Sequence, residues 1–99
     1  MTVHWTETAQ EHLEAIYAYI AKDSPEYALR MVDRLTRRSQ QIAAVPLSGR
    51  RVPEYDMDQI REMIEGLYRI IYHIKPDQID ILAVIHGARN VLRSGEAND

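Results

Sequence analysis

The sequence predicts an α+β fold: an N-terminal strand, then a helical hairpin packed on a small antiparallel β-sheet. Two observations carry that expectation. In the last third, "IREMIEGLYRIIYHI", the turn "KPDQ" and "IDILAVIHGAR" give alternation, a glycine turn, renewed alternation, a Pro-Asp turn and a long apolar run, the pattern of three antiparallel strands. In the first half, apolar residues return every three or four positions in two successive stretches, the period of amphipathic helices.

Val3-His4-Trp5 reads as a short first strand running straight into a helix. Thr6 suits the N-cap, and Glu7 places negative charge at the positive end of the helix dipole. Leu13, Ile16, Tyr17 and Ile20 then form one stripe, and the helix should end near Lys22. Asp23-Ser24-Pro25 supplies a break, a cap and a proline for the first position of a second helix. On that helix Ala28, Val32, Leu35 and Ile42 share a stripe, while Arg30, Arg34, Arg37, Arg38 and Gln41 lie largely off it, and Pro46 ends it. So short a turn makes the two helices antiparallel, with an inner stripe that must bury against the strands.

The segment from Pro46 to Pro53, with two prolines and a glycine, reads as a turn-rich connecting loop. In the strand that follows the glycine turn, Tyr68, Ile70, Tyr72 and Ile74 face one way, under the helices. Leu67, Arg69, Ile71 and His73 face the other way and mix apolar with basic groups, as a face left open for a partner would. In the last strand Ile79, Ile81, Ala83 and Ile85 alternate with Asp80, Leu82, Val84 and His86; both sides are mostly apolar, so this strand should be central. Trp5 reads as a core residue, with an interface anchor as the alternative, and Tyr17 and Tyr27 as helix-packing residues.

Ninety-nine residues make one domain, drawn here as residues 1–93 with a frayed tail at 94–99. Hydrophobic residues at 45% and charged residues at 27% are ordinary for a globular protein. No apolar run reaches the roughly 18–20 residues that span a bilayer, so no membrane role is expected. No basic region followed by an apolar stretch opens the chain, which favours the cytoplasm. With no cysteine, disulfides and thiolate metal sites are excluded. His4, His12, His73 and His86 lack paired ligand spacing, so neither metal nor cofactor is expected. The net charge of −3 argues against non-specific nucleic-acid binding, which draws on a large positive excess. Ten arginines against two lysines, Lys22 and Lys75, fit specific bidentate contacts better than a solvated coat.

The whole pattern resembles the RelE/ParE superfamily of toxins from bacterial toxin–antitoxin modules, and the ParE branch most. The likeness runs from about Val3 to Leu92. "VHWTETAQEHLEAIYAYI" is similar to the family's opening strand and first helix, "SPEYALRMVDRL" to the start of its second and "PLSGRRVPE" to its connecting loop; "IREMIEGLYRIIYHI" and "ILAVIHGAR" are the most specific pieces. The resemblance implies a toxin neutralised by a cognate ParD-like antitoxin, with no sequence-specific DNA binding by the toxin alone. ParE-type members inhibit DNA gyrase by protein contact; RelE-type members cut mRNA on the ribosome. A non-toxic relative kept as a binding partner is the third possibility.

Cleavage of RNA would need activation of a 2′-hydroxyl, stabilisation of a pentavalent phosphate and protonation of the leaving oxygen. The candidates for that chemistry are Arg61, Arg69, which matches the family's strand arginine, His86, whose ordinary pKa suits acid–base work, and Arg89. No lysine stands in the loop before Arg61 and no tyrosine follows Tyr72, departures that weigh against a nuclease. Each candidate also has a structural use: Arg69 could pair with Glu62 or Glu65 across the hairpin, Arg61 could be a solvated edge charge, and His86 could bond a turn carbonyl. As a contact surface for a partner protein, the sequence offers Arg50, Arg51, Arg61, Arg69, His86 and Arg89, with Arg34 from the stripe on the second helix.

Overall fold

The computed structural model describes residues 1–87. The elements are β1 (Thr2–Trp5), α1 (Glu7–Ala21), α2 (Pro25–Ala44), a single 3-10 turn at Pro46–Ser48, β2 (Arg50–Arg51), β3 (Ile60–Glu65), β4 (Tyr68–Ile74) and β5 (Gln78–His86). The strands form one sheet in the order β1-β5-β4-β3-β2. Strands β3, β4 and β5 are antiparallel neighbours, as the alternation predicts, β2 lies antiparallel to β3, and β1 joins β5 in parallel, with Val3 opposite Ile79 and Trp5 opposite Ile81. The proline-rich loop is more ordered than a turn-rich reading suggests: Arg50 and Arg51 add a short edge strand to β3.

Capping side chains set the helix starts and tie them to the sheet. The Thr6 hydroxyl accepts from the Ala9 amide at 3.2 Å and donates to the Ile81 carbonyl at 2.7 Å, so one residue both caps α1 and fixes it against β5. Ser24 accepts from the Tyr27 amide at 3.1 Å, and Pro25 opens α2. Gly66, with φ of +60°, makes the tight β3–β4 turn that a side chain would oppose.

The main core lies between the helices and one face of the sheet, built from Ala9, Met31, Leu35, Ile42, Ile70, Tyr72, Ile79, Ile81 and Val84. Trp5 packs against it, as a core residue should, and its indole N–H donates to the Ser39 hydroxyl at 3.3 Å. The buried stripe of α2 runs Ala28, Met31, Leu35, Ser39, Ile42 rather than through Val32, which is half-buried. Ser39 is tolerated there because its hydroxyl is satisfied twice, by Trp5 and by the Thr36 carbonyl.

The alternation of β5 does not run through. Ile71 faces Ala83 but Tyr72 faces Ile81, so Leu82 is one extra residue on β5, a bulge that flips the strand's sides. Beyond it Val84 and His86 lie on the helix side with Ile79 and Ile81, while Ala83 and Ile85 turn away, contrary to the simple period-2 reading. The far face is not simply open. The segment after β2 folds over it, and Val52 and Tyr55 pack with Ile60, Ile71, Leu82 and Ala83 into a second apolar cluster.

Candidate functional site

The far face carries a linked cluster of charged side chains, Arg50, Glu54, Glu62 and Arg69. Glu62 on β3 and Arg69 on β4 lie diagonally across the hairpin on the same side, since Glu62 is opposite Ile71. Arg69 Nε donates to Glu62 Oε1 at 2.6 Å, and its two terminal nitrogens reach Glu54 at 2.9 and 3.1 Å. Arg50 Nε donates to the other Glu62 oxygen. Arg69 is 5% exposed and Glu62 1%. The Glu54 hydrogen bonds first, then those of Glu62, raise the Arg69 pKa further, against the opposing effect of burial. Of the two partners weighed from sequence, Glu62 is therefore used and Glu65 is not; Glu54 was legible only in three dimensions. Two carboxylates already answer the Arg69 charge, which leaves little for a phosphate.

Arg61 faces the helix side, opposite Tyr72 and Arg51. Rather than a solvated edge charge, it is a half-buried brace: Nη1 donates to the Gly49 carbonyl at 3.0 Å and Nε to the Asp58 carbonyl at 2.9 Å. Asp58 stands 3.4 Å from Arg51 and 3.7 Å from Arg61, which relieves the like-charge cross-strand pair. Beside them the Tyr72 hydroxyl donates to the Pro46 carbonyl at 2.6 Å and accepts from the Gly49 amide at 3.1 Å. Burial pushes the Tyr72 phenol above its ordinary pKa. No motif in the sequence announces this lock; it depends on Pro46 and Gly49 meeting a strand residue more than twenty positions on.

His86 lies on the helix side of β5, opposite Tyr68, with the rings edge-on and their centroids 6.2 Å apart. Together with His12, Ala15, Ile16, Tyr19 and Tyr68 it lines an open groove of about 410 Å³ between α1 and the end of the sheet. His12 Nδ1 accepts from the Val84 amide at 3.2 Å, beyond the point where β1 stops pairing with β5. Arg69 sits across the sheet from His86, and Arg61 two strands away. Arg89 lies outside the described residues. The nuclease candidates Arg61, Arg69 and His86 thus occupy three separate environments.

The arginines of α2 are also mostly engaged. Arg34 donates to Glu65 Oε2 through Nε at 3.1 Å and Nη2 at 2.8 Å, joining α2 to the β3–β4 turn, and Arg38 lies 3.5 Å from the other Glu65 oxygen. Arg37 pairs with Asp33 at 2.9 Å. Tyr27, expected in the packing, is 42% exposed with Arg30 over its ring, because it falls on the outer side of α2 next to the cap. Arg50 and Arg51 are exposed, as a loop contact requires. Among the described residues no three His, Cys, Asp or Glu side chains gather as metal ligands. No helix there is long and apolar enough to cross a membrane.

A helical hairpin laid over a five-stranded sheet, with β1 returning parallel to β5, is the architecture of the small RelE/ParE toxin domains. The chain belongs to one branch of them, the family described as the ParE toxin of the type II toxin–antitoxin system parDE, whose profile matches residues 3–91. It is 36% identical over 86 residues, 85% of each chain, to a candidate toxin of Sinorhizobium fredii, Y4kP. Among solved structures it superposes with a TM-score of 0.70 on a chain of the chromosomal ParDE toxin–antitoxin system from P. aeruginosa, at 25% identity over 87% of this chain and 95% of that one. A chain of the RelBE2 toxin–antitoxin complex from Mycobacterium tuberculosis superposes with a TM-score of 0.62 over 86% and 95%, at 24% identity, a likeness of fold.

Proposed function

We propose that this toxin acts in the cytoplasm by binding DNA gyrase and stalling it with DNA broken, and that a cognate ParD-like antitoxin neutralises it by covering its surface. The observation that carries this reading is the separation of Arg69 from His86. A phosphate-cleaving site needs a cation and an acid or base within reach of one reacting atom. Here the strand arginine is enclosed by Glu54 and Glu62 on one face, and the histidine stands on the other. A contact inhibitor needs no convergent set, only an exposed surface of defined shape, which Arg50, Arg51 and the groove beside His86 offer. The antitoxin follows from the family and from the complexes to which the fold is similar.

The test is a plasmid supercoiling assay with purified gyrase, ATP and this protein freed of antitoxin. Lost supercoiling with accumulating linear DNA is the expected result. Normal supercoiling at a stoichiometric excess of folded toxin overturns the gyrase assignment. Cut mRNA in a translating extract would then assign the toxin to the ribosome.

A further inference from the structure

Residues 52–59 run between β2 and β3 with no helix or strand, as a strap over the far face. Both ends are fixed. Val52 is fully buried and its amide donates to the Ile60 carbonyl at 3.4 Å, while the Ile60 amide donates to the Met57 carbonyl at 3.3 Å. Tyr55 packs on the apolar cluster beneath, whereas Pro53, Asp56 and Met57 face solvent. Glu54 links this strap to Arg69: its two oxygens take Nη1 at 3.1 Å and Nη2 at 2.9 Å, a bidentate fork. Glu62 takes Nε at 2.6 Å. The two carboxylates are therefore not equivalent, since Glu62 belongs to the sheet and Glu54 to a loop.

A phosphate group presents the same two-oxygen edge to a guanidinium as a carboxylate does. With the strap closed, the charges of Arg50, Arg69, Glu54 and Glu62 cancel. With Glu54 swung away, Arg69 keeps Glu62, so the buried cation is not stranded. The remaining three groups then carry one net positive charge, which a phosphodiester monoanion neutralises. We infer that the outer fork of Arg69 is a phosphate subsite, which Glu54 latches shut from within the same chain. The strap and an external phosphate compete for the same two nitrogens, so the observed affinity is the intrinsic one reduced by the fraction of open strap. Neutralising Glu54 removes that competition. Capture of this kind is not cleavage, because His86 stays on the opposite face. The inference goes beyond the preceding reading and does not depend on gyrase as the target.

The probes are inorganic phosphate and a short labelled single-stranded DNA, each titrated into the full chain freed of antitoxin. Glu54→Gln keeps the size of the side chain and an oxygen for Arg69 but removes the charge. It should bind phosphate roughly tenfold or more tighter than the unsubstituted chain. Asp56→Asn makes the same change of charge on the same strap, at a group paired with Arg51, and should leave binding as it was. Arg69→Met in the Glu54→Gln chain should abolish the gain. The Arg69 Nε–Hε resonance gives a reading that does not depend on that double variant folding: phosphate should shift it in the Glu54→Gln chain. A gain for both probes assigns the subsite to a nucleic-acid backbone, and a gain for inorganic phosphate alone to a free phosphate; either supports the latch. Equal binding by Glu54→Gln and the unsubstituted chain overturns it. So does an equal gain in Asp56→Asn, a gain that survives Arg69→Met, or an unmoved Arg69 resonance.

Discussion

Arg69 of β4 and Glu62 of β3 form an ion pair at 2.6 Å beneath the segment that carries Glu54. Removing one member of such a buried pair leaves the other charged without a partner, which costs more than the pair itself contributes. Arg69→Ala should therefore lower stability by about 3–5 kcal/mol, read as a shift of the urea midpoint. Arg69→Met with Glu62→Leu should recover much of that loss. A single substitution costing no more than a surface change would show that the network is open to water. One consequence concerns function: loss of activity in Arg69→Ala carries no catalytic meaning until its folding has been measured.

Tyr72 and Gly49 make a second lock. Tyr72→Phe removes the hydroxyl that satisfies the Gly49 amide and the Pro46 carbonyl, at a cost of about 1–3 kcal/mol. Gly49→Ala should be at least as costly, since a Cβ there would stand 2.2 Å from the Tyr72 hydroxyl and 2.6 Å from the Glu62 carbonyl. Combining the two should give less than the sum, because the phenylalanine removes one of the two clashes. Strict additivity in denaturant titrations would contradict the contact.

Asp80 gives the pH dependence. The Lys75 ammonium, 2.6 Å from its Oδ2, above all, then Gln78 and His4, holds the carboxyl below its ordinary pKa, with burial opposing. A carboxylate depressed in the folded state adds stability above its unfolded pKa, about 3.9. That stability is lost as pH falls through the lower folded value. The stability difference between the unsubstituted chain and Asp80→Asn should be steady around about pH 7 and shrink below about pH 4. An equal difference at both ends would exclude this role.

The clasp from Arg34 to Glu65 is largely in solvent on the arginine side. Arg34→Ala should lower the melting temperature only slightly, and less still in high salt, as exposed ion pairs do. A thermal melt in low and high salt measures it. A drop as large as that of a core substitution would mean that the β3–β4 turn depends on this contact for its shape.

The elements and most of their faces are legible along the chain. Thr6, Ser24 and Pro25 mark the helix starts, Pro46 the helix end, Gly66 the turn, and the alternation in β4 correctly puts Ile70 and Tyr72 under the helices. These signals are local: a cap, a positive φ or a period of two is written in a few adjacent residues. Three features arise only when distant segments meet: β1 pairs parallel to β5, Leu82 bulges and sends His86 to the helix side, and Glu54 closes over Arg69. Each of these depends on chain segments far apart in sequence. A strand's alternation reports which residues are apolar, but not where an extra residue reverses its sides or which distant carboxylate will answer a buried charge. Candidate residues that looked like one site along the chain were therefore distributed over both faces of the sheet by pairing register, which no local pattern encodes.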